Sequence, residues 1–202
     1  MKRIALTFDD GPGRETMPRI LDLLNREGAK ATFFLWGEKI CEETLPVLRR
    51  ALAEGHELAN HSMRHLHMSR LTETEMAEEV ENLQGILKRL LDVEPKLFRP
   101  PYLDCSDAML RRIGLPMIFG SPNRDWMQET DAHQRLRLAM EATRDGGILL
   151  MHCFDSNGAT VEALETLLPW LREEGYIVTT VSSLFEAKGI TPLAGNIYHK
   201  VP

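Results

Sequence analysis

Apolar and polar positions along the chain alternate between two periods. Short apolar runs stand at IALTF (4–8), ATFFLW (31–36), HELAN (56–60), KLFR (96–99), LPMIFG (115–120), GILLMH (147–152) and YIVTTV (176–181), and each reads as a strand. Between them apolar residues recur at helical spacing, as at Met17, Ile20, Leu21 and Leu24, and again at Val80, Leu83, Leu87, Leu90 and Leu91. Gly28 and Gly55 stand where a helix ends in a left-handed glycine, and Thr72 with Glu75 makes a capping box. Alternating strands and helices without a two-residue hairpin signal predict an α/β fold with a parallel sheet and right-handed crossovers. The first expectation is a closed or nearly closed barrel of seven strands; an open doubly wound sheet is the alternative. With no repeat, low-complexity stretch or linker, residues 1–202 read as one domain, whose weakly periodic end, 189–202, trails over the surface.

The polar residues that follow these runs carry the chemistry. Asp9 and Asp10 close the first strand, His61 and His65 follow the third, Arg99 and Tyr102 the fourth, Asp125 and Trp126 the fifth, and His152 ends the sixth. In a parallel barrel, strand C-terminal ends gather at one face, so residues far apart in sequence can meet in one pocket. Asp-Asp-Gly-Pro is also good turn chemistry, which makes a plain turn the competing reading of 9–12. Two carboxylates about 5 Å apart repel by about 3 kcal/mol at an effective dielectric near 20, so a shared pocket needs a compensating charge. His61 and His65, four apart, would share a face if Ser62 began a helical turn, a spacing that suits a divalent metal. His67 is a nearby third candidate. Asp10 can complete a set of two histidines and a carboxylate, which leaves positions for water and substrate and frees Asp9 to serve as a base. Arg99 can orient a carboxylate by paired hydrogen bonds. Asp125 is a possible partner for an imidazolium, and Trp126 a flat apolar wall. His152 emerges from an apolar run, where a satisfied core histidine is the competing reading. Cys153 is a poor partner for it, because neighbours on a strand point to opposite faces.

Composition narrows the partners. The chain has 202 residues, 43% hydrophobic, with a formal net charge of -6, which disfavours nucleic acid as a partner. Three cysteines, Cys41, Cys105 and Cys153, include no CxxC pair, so a reducing compartment is expected. Lys2-Arg3 leads straight into IALTFDDGP without a signal-peptide core, and no apolar run approaches the roughly 20 residues needed to span a bilayer. A cytoplasmic protein with no membrane partner is the expectation, and the oligomeric state is not legible.

Taken together, TFDDGP, GHELANHSMRH, FRPPY, RDW and LLMH, in that order and at these intervals, resemble the five motifs of the polysaccharide deacetylase domain. This is carbohydrate esterase family 4, the chitooligosaccharide deacetylase homology domain, and the resemblance covers about residues 4–184. It implies a distorted (β/α) barrel that holds one divalent metal ion, zinc first and cobalt, nickel or manganese as alternatives. It also implies removal of acetyl groups from N- or O-acetylated sugars, such as chitin- or peptidoglycan-type oligosaccharides or acetylated xylan. By position, Asp10, His61 and His65 match the metal ligands, Asp9 the general base and His152 the general acid. Arg99 matches the residue that holds the base, and Asp125 the one that tunes the acid. Tyr102 matches the donor of a backbone N–H to the oxyanion, and Trp126 and Leu150 the walls of the acetyl pocket. The chain departs from the pattern at Pro122, where an acidic residue is common, and at Leu103, where Gly is frequent.

Two other readings remain at this stage. One keeps the scaffold but hydrolyses a non-sugar amide, including cyclic ureides. The other is a non-catalytic glycan-binding module, against which the presence of both Asp9 and His152 counts. The missing secretion signal sits awkwardly with a wall polymer as substrate, which brings soluble oligosaccharides or an intracellular acetylated metabolite into consideration.

Overall fold

The computed structural model describes residues 1–202. The chain forms eight strands and seven helices, alternating except where α4 follows α3 and β5 follows β4. The strands are β1 (Lys2–Gly11), β2 (Ala31–Leu35), β3 (Glu57–Asn60), β4 (Met117–Ile118), β5 (Ser121–Pro122), β6 (Gly147–His152), β7 (Tyr176–Thr179) and β8 (Ile197–Tyr198). The helices are α1 (Thr16–Arg26), α2 (Leu45–Ala53), α3 (Glu73–Leu91), α4 (Asp107–Arg112), α5 (Ala132–Ala142), α6 (Gly158–Glu173) and α7 (Val181–Ala187). Every strand pair is parallel. No helix is long and apolar enough to cross a membrane.

β1 organises the sheet. One edge pairs with β6 over Ile4–Asp9. The other edge is shared, with β7 beside Lys2–Ala5 and β2 beside Leu6–Gly11. The ladder continues from β2 to β3, then through single bridges from Asn60 to Phe98 and from Phe98 to Met117 of β4. The chain of β4 runs directly into β5, which pairs with β6 and brings the circuit back to β1. The barrel is therefore distorted where the expected strand at 96–99 shrinks to the single residue Phe98, bridged on both sides. Its continuation, Pro100-Pro101, lacks the N–H groups a ladder requires. Of the expected strand at 115–120 only Met117–Ile118 forms; the chain turns at Gly120, whose φ is +75° and whose missing Cβ would lie 2.9 Å from the carbonyl oxygen of Ile148, and β5 follows beyond the expected range.

The period of two along β1 decides what faces inward. Ile4, Leu6 and Phe8 pack outward with Met17, Ile20, Leu21 and Leu24 of α1 and Val161, Leu164 and Leu168 of α6. Ala5 faces the barrel interior with Phe34, Ala59, Ile118 and Ile148. Thr7 and Asp9 continue that inner register. Thr72 and Glu75 form the expected capping box on α3, and Gly28 and Gly55 take the expected left-handed conformation.

The end of the chain departs from expectation. Residues 189–202 do not simply trail over the surface. β8 pairs with β4, Val201 is buried, and its N–H donates to the carbonyl of Gly146 at 2.8 Å. A strand of two residues carries too little periodicity to be read from sequence.

Candidate active site

The strand exits converge as their register dictates. On β6, Ile148, Leu150 and His152 share the inner face, while Leu149, Met151 and Cys153 join the outer core. His152 and Cys153 are thus on opposite faces, and burial pushes the Cys153 thiol well up. Asp9, Asp10, His61, His65, Tyr102, Trp126, Leu150 and His152 line one cavity of about 330 Å³, together with Pro100, Leu103 and Pro122. Both departures from the family pattern, Leu103 and Pro122, therefore face the same space.

Asp9 is only 2% exposed and is held from behind by Arg99, which is fully buried. Arg99 Nη1 donates to Asp9 Oδ1 at 2.6 Å and to Thr7 Oγ1 at 2.8 Å, and Nε donates to the Ile118 carbonyl at 2.7 Å. The guanidinium lies 4.1 Å from the centre of the Phe34 ring. Asp9 Oδ2 is left facing the cavity side, 3.8 Å from His61 Nε2.

One ligand atom each from Asp10, His61 and His65 lies within 4.8 Å of the others. Asp10 Oδ1 is 3.1 Å from His65 Nε2 and 3.5 Å from His61 Nε2, yet it is buried without a hydrogen bond. The tautomer of His61 follows from its partner. Nδ1 lies 2.7 Å from the carbonyl of Arg99, which can only accept, so Nδ1 carries the proton and Nε2 turns a lone pair toward Asp10. Burial alone raises the Asp10 carboxyl pKa; with the imidazoles protonated, their N–H groups and positive charge would more than offset this and hold it well below the usual carboxylate range. A buried anionic oxygen without a donor, faced by an imidazole lone pair, is the donor set that a divalent cation fits.

The helical turn expected at Ser62 does not form. His61 to His67 are loop, and the two imidazoles converge because Ser62 (φ 70°) and His65 (φ 57°) adopt left-handed backbone. Asn60 fixes this path: its Oδ1 accepts from Ser62 N–H at 2.9 Å and its Nδ2 donates to the Val80 carbonyl at 2.9 Å. Ser62 Oγ accepts from His65 N–H at 3.0 Å, and the buried Glu79 accepts from Arg64 N–H at 2.7 Å. His67 stays outside the ligand set and stacks on Tyr102 with ring centres 4.0 Å apart.

Across the cavity, Asp125 is fully buried. Its Oδ1 lies 2.7 Å from His152 Nδ1, and its Oδ2 accepts from His152 N–H at 2.7 Å and Thr160 Oγ1 at 2.9 Å. Burial pulls the His152 imidazole down, but the hydrogen bond and charge of Asp125 outweigh it, so the net shift is upward. Trp126, 47% exposed, meets the His152 ring edge-on at 5.7 Å, and Tyr102 is 60% exposed at the opposite rim.

Several neighbours were not legible in the sequence. Arg135, buried, donates to Thr160 Oγ1 at 3.0 Å and to Asn157 Oδ1, and Asn157 in turn donates to Asp125. A polar run five to eight residues past a strand exit was the only signal. Trp36 and Lys39, beyond the end of β2, are two more: Trp36 falls inside the apolar run 31–36, and only Lys39 lies where the strand-exit rule could have found it.

Comparison with known proteins gives consistent matches. The polysaccharide deacetylase family model matches residues 1–118. The chain is 38% identical over 200 residues to a bifunctional xylanase/deacetylase of Pseudobutyrivibrio xylanivorans, covering 99% of this chain and 33% of that protein, so it spans about a third of that relative's length. The crystal structure of the Xyl-CE4 domain of a multidomain xylanase from the hindgut metagenome of Trinervitermes trinervoides superposes with a TM-score of 0.97 at 39% identity, covering 99% of this chain and 98% of that one. A family 4 acetyl xylan esterase from Clostridium thermocellum, in complex with a cobalt ion, gives a TM-score of 0.96 at 32% identity, each chain being covered completely (100%).

Proposed function

Because the chain belongs to the polysaccharide deacetylase family, we propose that it is a metal-dependent hydrolase that removes acetyl groups from acetylated sugars, acetylated xylan foremost. One observation carries this reading: a carboxylate gripped by a buried arginine, a three-residue metal set and an imidazole gripped by a buried carboxylate all open into one cavity. Xylan is placed ahead of N-acetylated sugars because three similar proteins, two of them 38% and 39% identical, are a bifunctional xylanase/deacetylase, the Xyl-CE4 domain of a multidomain xylanase and an acetyl xylan esterase.

Asp10, His61 and His65 would hold the ion, with zinc as the metal proposed. Bound there, a divalent cation supplies Lewis acidity, polarising the acetyl carbonyl and lowering the pKa of a water. Asp9, oriented through Arg99, takes the proton as the water oxygen bonds to the acetyl carbon. The Tyr102 backbone N–H serves as a donor to the oxyanion that develops. Trp126 and Leu150 wall the acetyl methyl, which excludes bulkier acyl groups. His152 holds its proton on Nδ1 toward Asp125, so Nε2 is the atom that meets substrate. In its protonated form Nε2–H donates to the sugar oxygen or nitrogen as the bond to the acetyl carbon breaks. Acetate and a free hydroxyl or amine are the products.

The test is acetate release from acetylated xylan and from chitin- and peptidoglycan-type oligosaccharides, with zinc and after chelation. Release that chelator abolishes and zinc restores is the expected result. No release from any sugar by zinc-loaded protein, with hydrolysis of cyclic ureides instead, would overturn the sugar reading. Sugar retention without turnover of either class would indicate a binding module.

A further inference from the structure

The three groups proposed to hold metal come from two stretches of chain, and each stretch carries residues in left-handed backbone. Asp10 has φ 62°, Ser62 70° and His65 57°, a left-handed region that costs an L-residue roughly 1–2 kcal/mol. A third segment, Trp36–Lys39, is bonded to both. Trp36 N–H donates to the carbonyl of Gly11 at 2.8 Å, Gly37 N–H to that of Ser62 at 3.0 Å, and Glu38 N–H to that of Met63 at 3.0 Å. Gly37 allows the close approach, since a Cβ there would lie 3.0 Å from Met63 Cα and 3.2 Å from its carbonyl oxygen.

Side chains complete the connection. Lys39 Nζ donates to the carbonyl of Asp10 itself at 2.9 Å and lies 4.5 Å from the centre of the Trp36 ring. The same indole stacks on the His65 imidazole, 4.7 Å between centres with planes 26° apart. An unbroken run of contacts thus leads from Asp10 through Lys39 and Trp36 to His65. Neither Lys39 nor Trp36 lines the cavity, so both act through Asp10 and His65.

We propose that the Trp36–Lys39 turn is a brace that fixes Asp10 and His65 in their strained backbone conformations before a cation arrives, and thereby sets the metal affinity of the site. The inference rests on the metal-site reading above. Lys39 makes it sharply testable, because its charge and its brace act in opposite directions. An ammonium near a cation weakens binding by repulsion. If charge were its only effect, Lys39→Met would bind metal more tightly. The brace requires weaker binding, because ligands freed from their positions must be ordered when the ion binds.

The experiment is a zinc-binding isotherm on the full chain against a competing chelator, with the melting temperature of the zinc-free protein recorded alongside. Lys39→Met and Trp36→Leu are expected to lose about 10–100-fold in zinc affinity, with melting little changed for Lys39→Met. Lys39→Arg and Trp36→Phe, which keep the donor and the stacking face, should stay within a few-fold of the parent. Should Trp36→Leu fail to fold, the half-buried Lys39 carries the test. If Lys39→Met binds zinc as tightly as the parent or more tightly, the brace is overturned while the metal site stands. If the parent itself binds no zinc, the metal reading fails and the brace falls with it.

Discussion

Replacing Arg99 by Met removes one charge from the interior and leaves another behind. Arg99 is fully buried and Asp9 only 2% exposed, and their contact at 2.6 Å is the shortest of the three hydrogen bonds the guanidinium makes. Met roughly fills the side chain's path over Phe34, so the cavity penalty is small. The dominant loss is an uncompensated buried carboxylate, which costs about 3–5 kcal/mol when one partner of a buried pair is removed. For a chain of this size, 1 kcal/mol moves melting by about 2–4 °C, so Arg99→Met should melt about 6–20 °C lower. Urea unfolding of chelated protein measures the cost without a contribution from bound metal. The control is the same change in an Asp9→Asn background, where no carboxylate is stranded. There Arg99→Met should cost less by about 1–3 kcal/mol, the range of coupling seen between contacting groups. A cost below about 1 kcal/mol for Arg99→Met, or an equal cost in both backgrounds, would refute the claim that Arg99 exists to hold Asp9.

Two further outcomes involve histidines. The proposed donor role requires His152 to be protonated, and the Asp125 carboxylate helps keep its pKa raised; on that proposal Asp125→Asn should shift the alkaline limb of kcat/KM to lower pH, and a limb that stays in place would count against it. His56 accepts from the Ala31 N–H through Nδ1, and burial pushes its pKa down to about 4. The unfolded chain therefore takes up this proton at higher pH than the folded one, and stability falls as pH drops from the ordinary value of 6.5 toward 4. His56→Asn, which keeps an acceptor, should reduce the loss of unfolding free energy between pH 7 and 5 by about 1–2 kcal/mol after allowance for solvent screening; identical pH slopes in both proteins would contradict it.

The sequence and the structure part company for identifiable physical reasons. Residues on long periodic elements were legible: the inner register of β1 carries Ala5 and Thr7 to Asp9, and that of β6 carries Ile148 and Leu150 to His152, by alternation alone. The convergence of His61 and His65 was anticipated, but for the wrong local structure. A spacing of four is shared by a helical turn and by a loop with left-handed corners, and only Asn60, Ser62 and Glu79 together select the loop. The strand at 96–99 was overcounted because Pro100 and Pro101 limit pairing just beyond Phe98. β8 was overlooked because two residues have no period. Trp36 was absorbed into an apolar run, since a strand-end indole looks the same whether it fills a core or stacks on His65.

The most direct test of the cation site is anomalous diffraction at the zinc edge from a crystal grown with zinc. A single strong peak about 2.0–2.2 Å from Asp10 and from a ring nitrogen of each of His61 and His65 is expected, beside Asp9. A zinc-soaked crystal with no peak there, or with the three side chains turned away from one another around a peak elsewhere, would contradict it.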